Sequence, residues 1–182
     1  MNLFSTLPSP IGDLTLTSDG ESLTGLYLPH GRYGPGAMHG WKRDDAALPF
    51  ADAARQLEAW FQGQLTAFDL QLHPGGTPFQ QEVWRCLCAI PYGAKATYGE
   101  VAGQIGRSGA SRAVGLANAR NPIAIIVPCH RVIGAGGSLT GYGGGLNLKQ
   151  ALIQFETAVR LRGPQPFVYQ PELSPADCQL QL

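Results

Sequence analysis

Polar and apolar residues alternate in three short stretches at the start of the chain: NLFSTL (2–7), GDLTLTSD (12–19) and SLTGLYL (22–28). A period of two, with Leu, Thr and Phe enriched, predicts half-buried strands. Pro-Ile-Gly and Asp-Gly-Glu lie between them and predict turns. The Gly-rich stretch HGRYGPGAMHGW (30–41) reads as a loop. From residue 50 the period lengthens. FADAARQLEAWFQG places Phe50, Ala53, Ala54, Leu57 and Trp60/Phe61 on one face and stops at Gly63, which predicts an amphipathic helix. TAFDLQL (66–72) alternates again and predicts a further strand, and HPGGTP (73–78) has the composition of a linker.

The remainder has mostly helical periodicity, with well-marked starts. Thr77-Pro78-Phe79-Gln80 supplies a capping residue, proline at the first helical position and a capping-box glutamine. The helix it opens carries Phe79, Val83, Leu87 and Ile90 on one face. Thr97-Tyr98-Gly99-Glu100 is a second capping box, opening YGEVAGQIG (98–106). A third helix, ASRAVGLANAR (110–120), ends at Asn121-Pro122. The last is expected to be capped at Asn147 and to run to Arg162 before Gly163. The predicted class is α+β, with an N-terminal scaffold domain over 1–76, a helical domain over 77–163 and a Pro-rich tail over 164–182 that lacks periodicity.

The helix pair near 98–119 has helix-turn-helix spacing. Its second member is almost without bulk: Gly109, Ala110, Ser111, Ala113, Gly115, Ala117 and Ala119 leave Arg112 as the one long side chain near its start. Close packing of helices accounts for such a surface. So does close approach to a narrow nucleic-acid groove.

Formal net charge is zero, but it is unevenly spread. Residues 1–76 hold 4 Lys/Arg against 8 Asp/Glu; residues 77–170 hold 9 against 3. The split fits a polyanion meeting the second half, or solvated faces that happen to differ. No apolar run approaches the ~20 residues of a membrane span, and MNLFSTLPSPIGDL lacks the basic-then-apolar order of a signal peptide. A cytoplasmic, soluble protein is expected. Cysteines stand at 86, 88, 129 and 178, and in a reducing compartment free thiols are the default.

Cys129 lies in NPIAIIVPCHRV, against His130. Three readings are open. It is an inert buried thiol; or a zinc ligand together with His130, Cys86 and Cys88, although Cys-x-Cys and adjacent Cys-His are poor chelating spacings; or a nucleophile, which needs a base and a group to orient that base. Glu156 is the candidate orienter. It borders the stripe Leu148, Leu152, Phe155, Val159, where a carboxylate needs a partner if it is not simply exposed. In an extended segment Cys129 and His130 point to opposite sides, so they would communicate through a water.

IPYGAKATYGEVA, SRAVGLANARNPIAIIVPCHRVIGAGGSLTGYGGGL and the final helix with Glu156 resemble the O6-alkylguanine-DNA alkyltransferases. The likeness is dense over 77–162 and looser before it, where the family has a small antiparallel sheet-plus-helix domain. It implies that Cys129 is the acceptor thiol, that His130 takes its proton through a water, and that Glu156 holds His130. Asn121 would tie the DNA-reading helix to the active-site segment, and Tyr98 would contact the phosphate beside the lesion and assist guanine departure. Arg112 would fill the stack left by the flipped nucleotide, on a DNA-facing helix surface with Ala110, Ser111, Ala113 and Gly115. Val132, Tyr142, Gly143 and Gly144 would line the base pocket. The implied partner is double-stranded DNA containing O6-alkylguanine, bound by a monomer with no cofactor, no metal and no membrane.

Two departures stand out. Phe155 occupies a position that is often histidine in the family, and Gly143 one that is serine or alanine in several relatives, with consequences for the size of alkyl group accepted. Other classes fit less well. A non-catalytic lesion-binding relative would lack the acceptor cysteine. A helix-turn-helix regulator would carry base-reading polar residues on its second helix. A thiol hydrolase would turn over.

Overall fold

The computed structural model describes residues 2–36 and 38–171. Three strands, β1 (Leu3–Leu7), β2 (Leu14–Ser18) and β3 (Leu23–Tyr27), form an antiparallel meander. The Asp19 carboxylate closes its second turn by accepting the backbone N–H groups of Glu21 and Ser22. A two-residue strand, β4 (Lys42–Arg43), adds in parallel to β1 and completes the order β3-β2-β1-β4. The expected loop ends at residue 41 and the sequence predicts no element at Lys42–Arg43, because two charged residues carry no periodicity.

Helix α1 (Leu48–Phe61) packs on β2, burying Phe50, Ala53, Leu57, Trp60 and Phe61 as its pattern predicts. The strand expected over 66–72 does not form. The segment makes one isolated bridge, Leu72 to Leu23. Its backbone is held instead by the buried Gln56 side chain, whose Nε2 donates to Asp69 O at 2.7 Å and whose Oε1 accepts from Asp69 N at 2.8 Å. A glutamine side chain imitates a strand neighbour here, so the alternating pattern finds no ladder.

The second half contains α2 (Pro78–Cys88), α3 (Tyr98–Gln104), α4 (Ser111–Ala119) and α5 (Leu146–Arg162). Both expected capping boxes are present, at Thr77/Gln80 and Thr97/Glu100. Asn147 does not cap α5. The cap is Gly145, at φ 89, and Asn147 lies inside the helix. Helix α4 packs against α2 and α3, and the Trp84 indole donates to Ala117 O at 2.9 Å. Two short parallel strands, β5 (Ala96–Thr97) and β6 (Val132–Ile133), pair across the domain.

One hydrophobic cluster runs through both halves, from Leu14 and Trp60 to Val83, Ile123 and Leu152. The sheet is also joined to the helical half through the backbone: Leu26 N donates to Pro122 O at 2.8 Å, and Ala124 N to Leu26 O at 3.0 Å. The start of the expected tail is part of this core. Phe167 is buried among Trp60, Phe61 and Phe155, and its N–H donates to Phe61 O at 2.7 Å. Residues 172–182, including Cys178, lie outside the described residues. Among the described residues no helix is long and apolar enough to cross a membrane.

Candidate active site

The apolar run that ends helix α4's connection is buried throughout, from Ile123 to Val127. Its backbone is not extended. Ile125 sits at φ 69, a conformation that a β-branched residue adopts only under constraint, at a cost of about 1–3 kcal/mol. The constraint comes from Asn121. Its Nδ2 donates to Val127 O at 2.8 Å and Ile123 O at 3.3 Å, while its Oδ1 accepts from Ile123 N at 3.0 Å. Asn121 therefore ties the end of α4 to the segment that delivers Cys129.

Cys129, His130 and Arg131 form a single 3-10 turn, which corrects the extended geometry expected from the sequence. Successive side chains on such a turn diverge by about 120° rather than 180°. All three are buried. The turn is held by Cys129 N donating to Val127 O at 2.8 Å and by the Asn118 Nδ2, which donates to Cys129 O at 3.3 Å.

Glu156 reaches this turn from α5, and its carboxylate accepts four hydrogen bonds. Oε1 takes His130 Nε2 at 3.0 Å and Arg131 Nη2 at 2.8 Å. Oε2 takes Arg131 Nε at 2.9 Å and Gly93 N at 3.1 Å. Burial pushes this carboxyl up, but the His130 and Arg131 contacts outweigh it and hold the group at about 2. Glycine suits position 93. Its φ is 68, and a Cβ there would stand 3.0 Å from Glu156 O. Arg131 completes its own bonding with Nη1 to Ile90 O at 2.6 Å and lies over the Tyr92 ring. His130 Nδ1 is buried and makes no hydrogen bond to a described residue.

Burial raises the Cys129 thiol, against smaller lowering effects from the Asn121 side chain and the Lys149 charge. The resting sulfur is therefore a thiol, and a thiolate has to be generated by a base. Lys149 is itself fully buried, and burial lowers it to about 8. Its Nζ donates to Thr140 O at 2.8 Å and lies over the Tyr98 ring at 5.9 Å. Tyr98 donates to the same carbonyl at 3.3 Å.

A small cavity of about 30 Å³ opens at Cys129, with Tyr142, Gly143, Asn118 and Asn121 on its wall. Val132 is fully buried in β6 and Gly144 faces Leu28 and Leu148; neither lines this cavity. Beside it a broad groove is lined by Tyr98, Ser111, Arg112 and Gly115. Arg112 and Ala113 project from α4 into solvent, and Ala110 is half-buried at its start. Leu116 and Arg120 follow Arg112 at helical spacing and are exposed on the same stripe. Among the described residues no group of three or more His, Cys, Asp or Glu converges as a metal site, and Cys86, Cys88 and Cys129 are free thiols.

Sequence reasoning missed Arg131, Lys149 and Asn118. Two of them had a signal. Lys149 precedes Glu156 by seven residues and so shares its helix face, and Asn118 is a lone polar residue on the buried side of α4.

Comparison with known proteins accounts for this arrangement. Residues 78–158 match the DNA binding domain of 6-O-methylguanine DNA methyltransferase, and residues 2–74 its ribonuclease-like domain. The methylated-DNA–protein-cysteine methyltransferase of Mycobacterium tuberculosis H37Rv is 56% identical over 84% of this chain and 91% of that protein. That of Methanosarcina acetivorans is 50% identical over 84% of this chain and 97% of that protein. A crystal structure of the M. tuberculosis protein in complex with DNA superposes with a TM-score of 0.80 at 53% identity, covering 86% of this chain and 93% of that one. The chain belongs to the methylated-DNA–protein-cysteine methyltransferase family.

Proposed function

We propose that Cys129 is the acceptor in this chain and that a monomer takes the alkyl group from O6-alkylguanine in duplex DNA. The family reaction is an irreversible alkyl transfer from DNA to a cysteine of the protein itself, so each molecule acts once. The observation that carries the assignment is the Cys129–His130–Arg131 turn, fixed on a fully bonded Glu156.

The chemistry follows from the bonds. Glu156 Oε1 accepts from His130 Nε2, so that nitrogen carries the ring proton and Nδ1 is the basic one. Nδ1 takes the thiol proton through a water. The thiolate attacks the alkyl carbon, the carbon–O6 bond breaks, and the guanine leaves with the electron pair and takes up one proton, which balances the one that His130 removed from the thiol. In this reading Tyr98, which lines the groove beside the cavity, contacts the phosphate next to the lesion and assists that departure. Lys149 supplies a positive charge near the sulfur and fixes the Thr140 carbonyl that Tyr98 also holds. The product is an alkyl thioether, a bond that water does not cleave under ordinary conditions, so the alkyl group stays on the protein.

The lesion has to leave the helix to reach a buried thiol. The α4 surface suits this step. Its small residues Ala110, Ser111, Ala113 and Gly115 let the backbone approach a groove, and Arg112 projects to occupy the vacated stack. Residues 77–163 carry the chemistry and the DNA contacts, and residues 1–76 act as scaffold. Intact-mass measurement after mixing with duplex containing O6-methylguanine tests the assignment. One methyl group per chain, mapped to Cys129, is the expected result; methylation at Cys86 or Cys88 would overturn it.

A further inference from the structure

The cavity at Cys129 is not made by the helical half alone. Cys129, Tyr142 and Gly143 form one side; Leu28, Gly31 and Tyr33, from the loop that follows β3, form the other. The two sides are in direct contact. Arg32 N donates to Gly143 O at 2.9 Å, which joins the N-terminal loop to the loop that carries Tyr142. One residue on, a Cβ on Gly144 would stand 2.8 Å from Leu28 Cδ1, so the Leu28 side chain packs directly on the Gly144 backbone. Tyr33 is the largest side chain that the loop itself adds to the wall, beside Tyr27 at the end of β3, and it is 39% exposed, so it stands between the cavity and solvent.

The enclosed space is small. A cavity of about 30 Å³ holds roughly two waters. A guanine that enters from the α4 groove displaces this water, and its alkyl substituent, which must face the sulfur, comes up against whatever lies beyond Cys129. On the far side from α4 that is the N-terminal loop. Gly143 adds no side chain to the opposite wall, and a Cβ there would meet nothing within 4 Å. The limit on substituent size therefore falls on the residues facing it.

We infer that the loop around residues 28–33 is the outer wall of the alkyl pocket, and that Tyr33 is a specificity-determining residue that sets the largest O6 substituent transferred to Cys129. The N-terminal half then selects among substrates in addition to supporting the fold. This inference rests on Cys129 being the acceptor.

The test compares single-turnover transfer from duplexes carrying O6-methylguanine and O6-benzylguanine, with adduct mapping. In Tyr33→Ala the benzyl-to-methyl rate ratio should rise by about five-fold or more, since losing the ring from the pocket wall opens room for the larger substituent. Tyr33→Phe keeps the ring and should hold the wild-type ratio, which separates bulk from the hydroxyl. A thermal melt of each variant shows whether it is folded. An unchanged ratio in folded Tyr33→Ala, with the adduct still on Cys129, overturns the inference alone. An adduct on another cysteine overturns the underlying reading as well. If Tyr33→Ala does not fold, Tyr33→Leu gives the same comparison, with the same rise expected and the same unchanged ratio decisive against it.

Discussion

The Cys129 turn and the outer face of α4 lie side by side and are built on opposite plans. In the turn every charged group is buried and bonded: Glu156 accepts four hydrogen bonds, and Arg131 donates to two different elements. On α4, Arg112, Leu116 and Arg120 are exposed, and the residues between them are small. The first region is preorganised before any substrate arrives. The second is left open to solvent, as a surface that a partner would complete. Substitutions in the turn should therefore alter folding and chemistry together, whereas those on α4 should alter only the steps that involve duplex.

The largest effect is expected from Cys129→Ser, which should accept no alkyl group yet still bind duplex. Any mass shift on alkylated DNA would break the comparison at its root. Next is Glu156→Gln. Loss of the charge that supports a protonated His130 should slow transfer by about 100-fold or more. The same change leaves Arg131 buried without its carboxylate, a loss typically worth about 3–5 kcal/mol, so the melting temperature should fall with the rate. A normal rate in that variant would make Glu156 purely structural.

The same carboxylate predicts a pH dependence. Its folded value, about 2, lies below the ordinary 4.5, so its contribution to stability is present above pH 4.5. That contribution is lost as pH falls from 4.5 toward 2, and Glu156→Gln should flatten this part of the melting profile.

Arg112→Ala belongs to the other plan. Stacking lost with the side chain should slow repair of duplex by roughly ten-fold, while transfer from a free O6-alkylguanine base and the melting temperature stay at wild-type values. Equal slowing on both substrates would mean that Arg112 supports the fold and does not enter the stack. The smallest effect is expected from Arg120→Ala, which should lower the salt dependence of duplex binding by about one phosphate contact and leave the transfer rate nearly unchanged. An unaltered salt slope would remove Arg120 from the interface.

The sequence was most readable where structure is local. Thr77/Gln80 and Thr97/Glu100 formed their capping boxes because all the partners lie within one turn. Glu156 was legible for a related reason, since a carboxylate bordering Leu148, Leu152, Phe155 and Val159 needs a partner. What could not be read depends on distant chain. Arg131 is defined by Ile90 and Glu156, 41 and 25 residues away, so it looked like one more surface cation. The pattern over 66–72 had the period of a strand, but Gln56 satisfies the backbone at Asp69 and only one bridge to Leu23 forms beyond it. Gly145 caps α5 through its backbone conformation alone, which leaves no side-chain signature.

The outer border of the sheet has a consequence for the N-terminal half on its own. The backbone of β3 on that side is occupied by Gln71, His73, Pro122 and Ala124, and the opposite border is only the two cationic residues of β4. Short, charged margins and covered ones do not template the addition of further strands. Half of the cover on β3 comes from the active-site segment. Cutting the chain near residue 76 would strip away Pro122 and Ala124, leaving Leu26 with an open donor and acceptor. Self-association through that edge is the expected fate of the isolated fragment, so the segment that carries Cys129 also keeps the neighbouring sheet from pairing with its own copies.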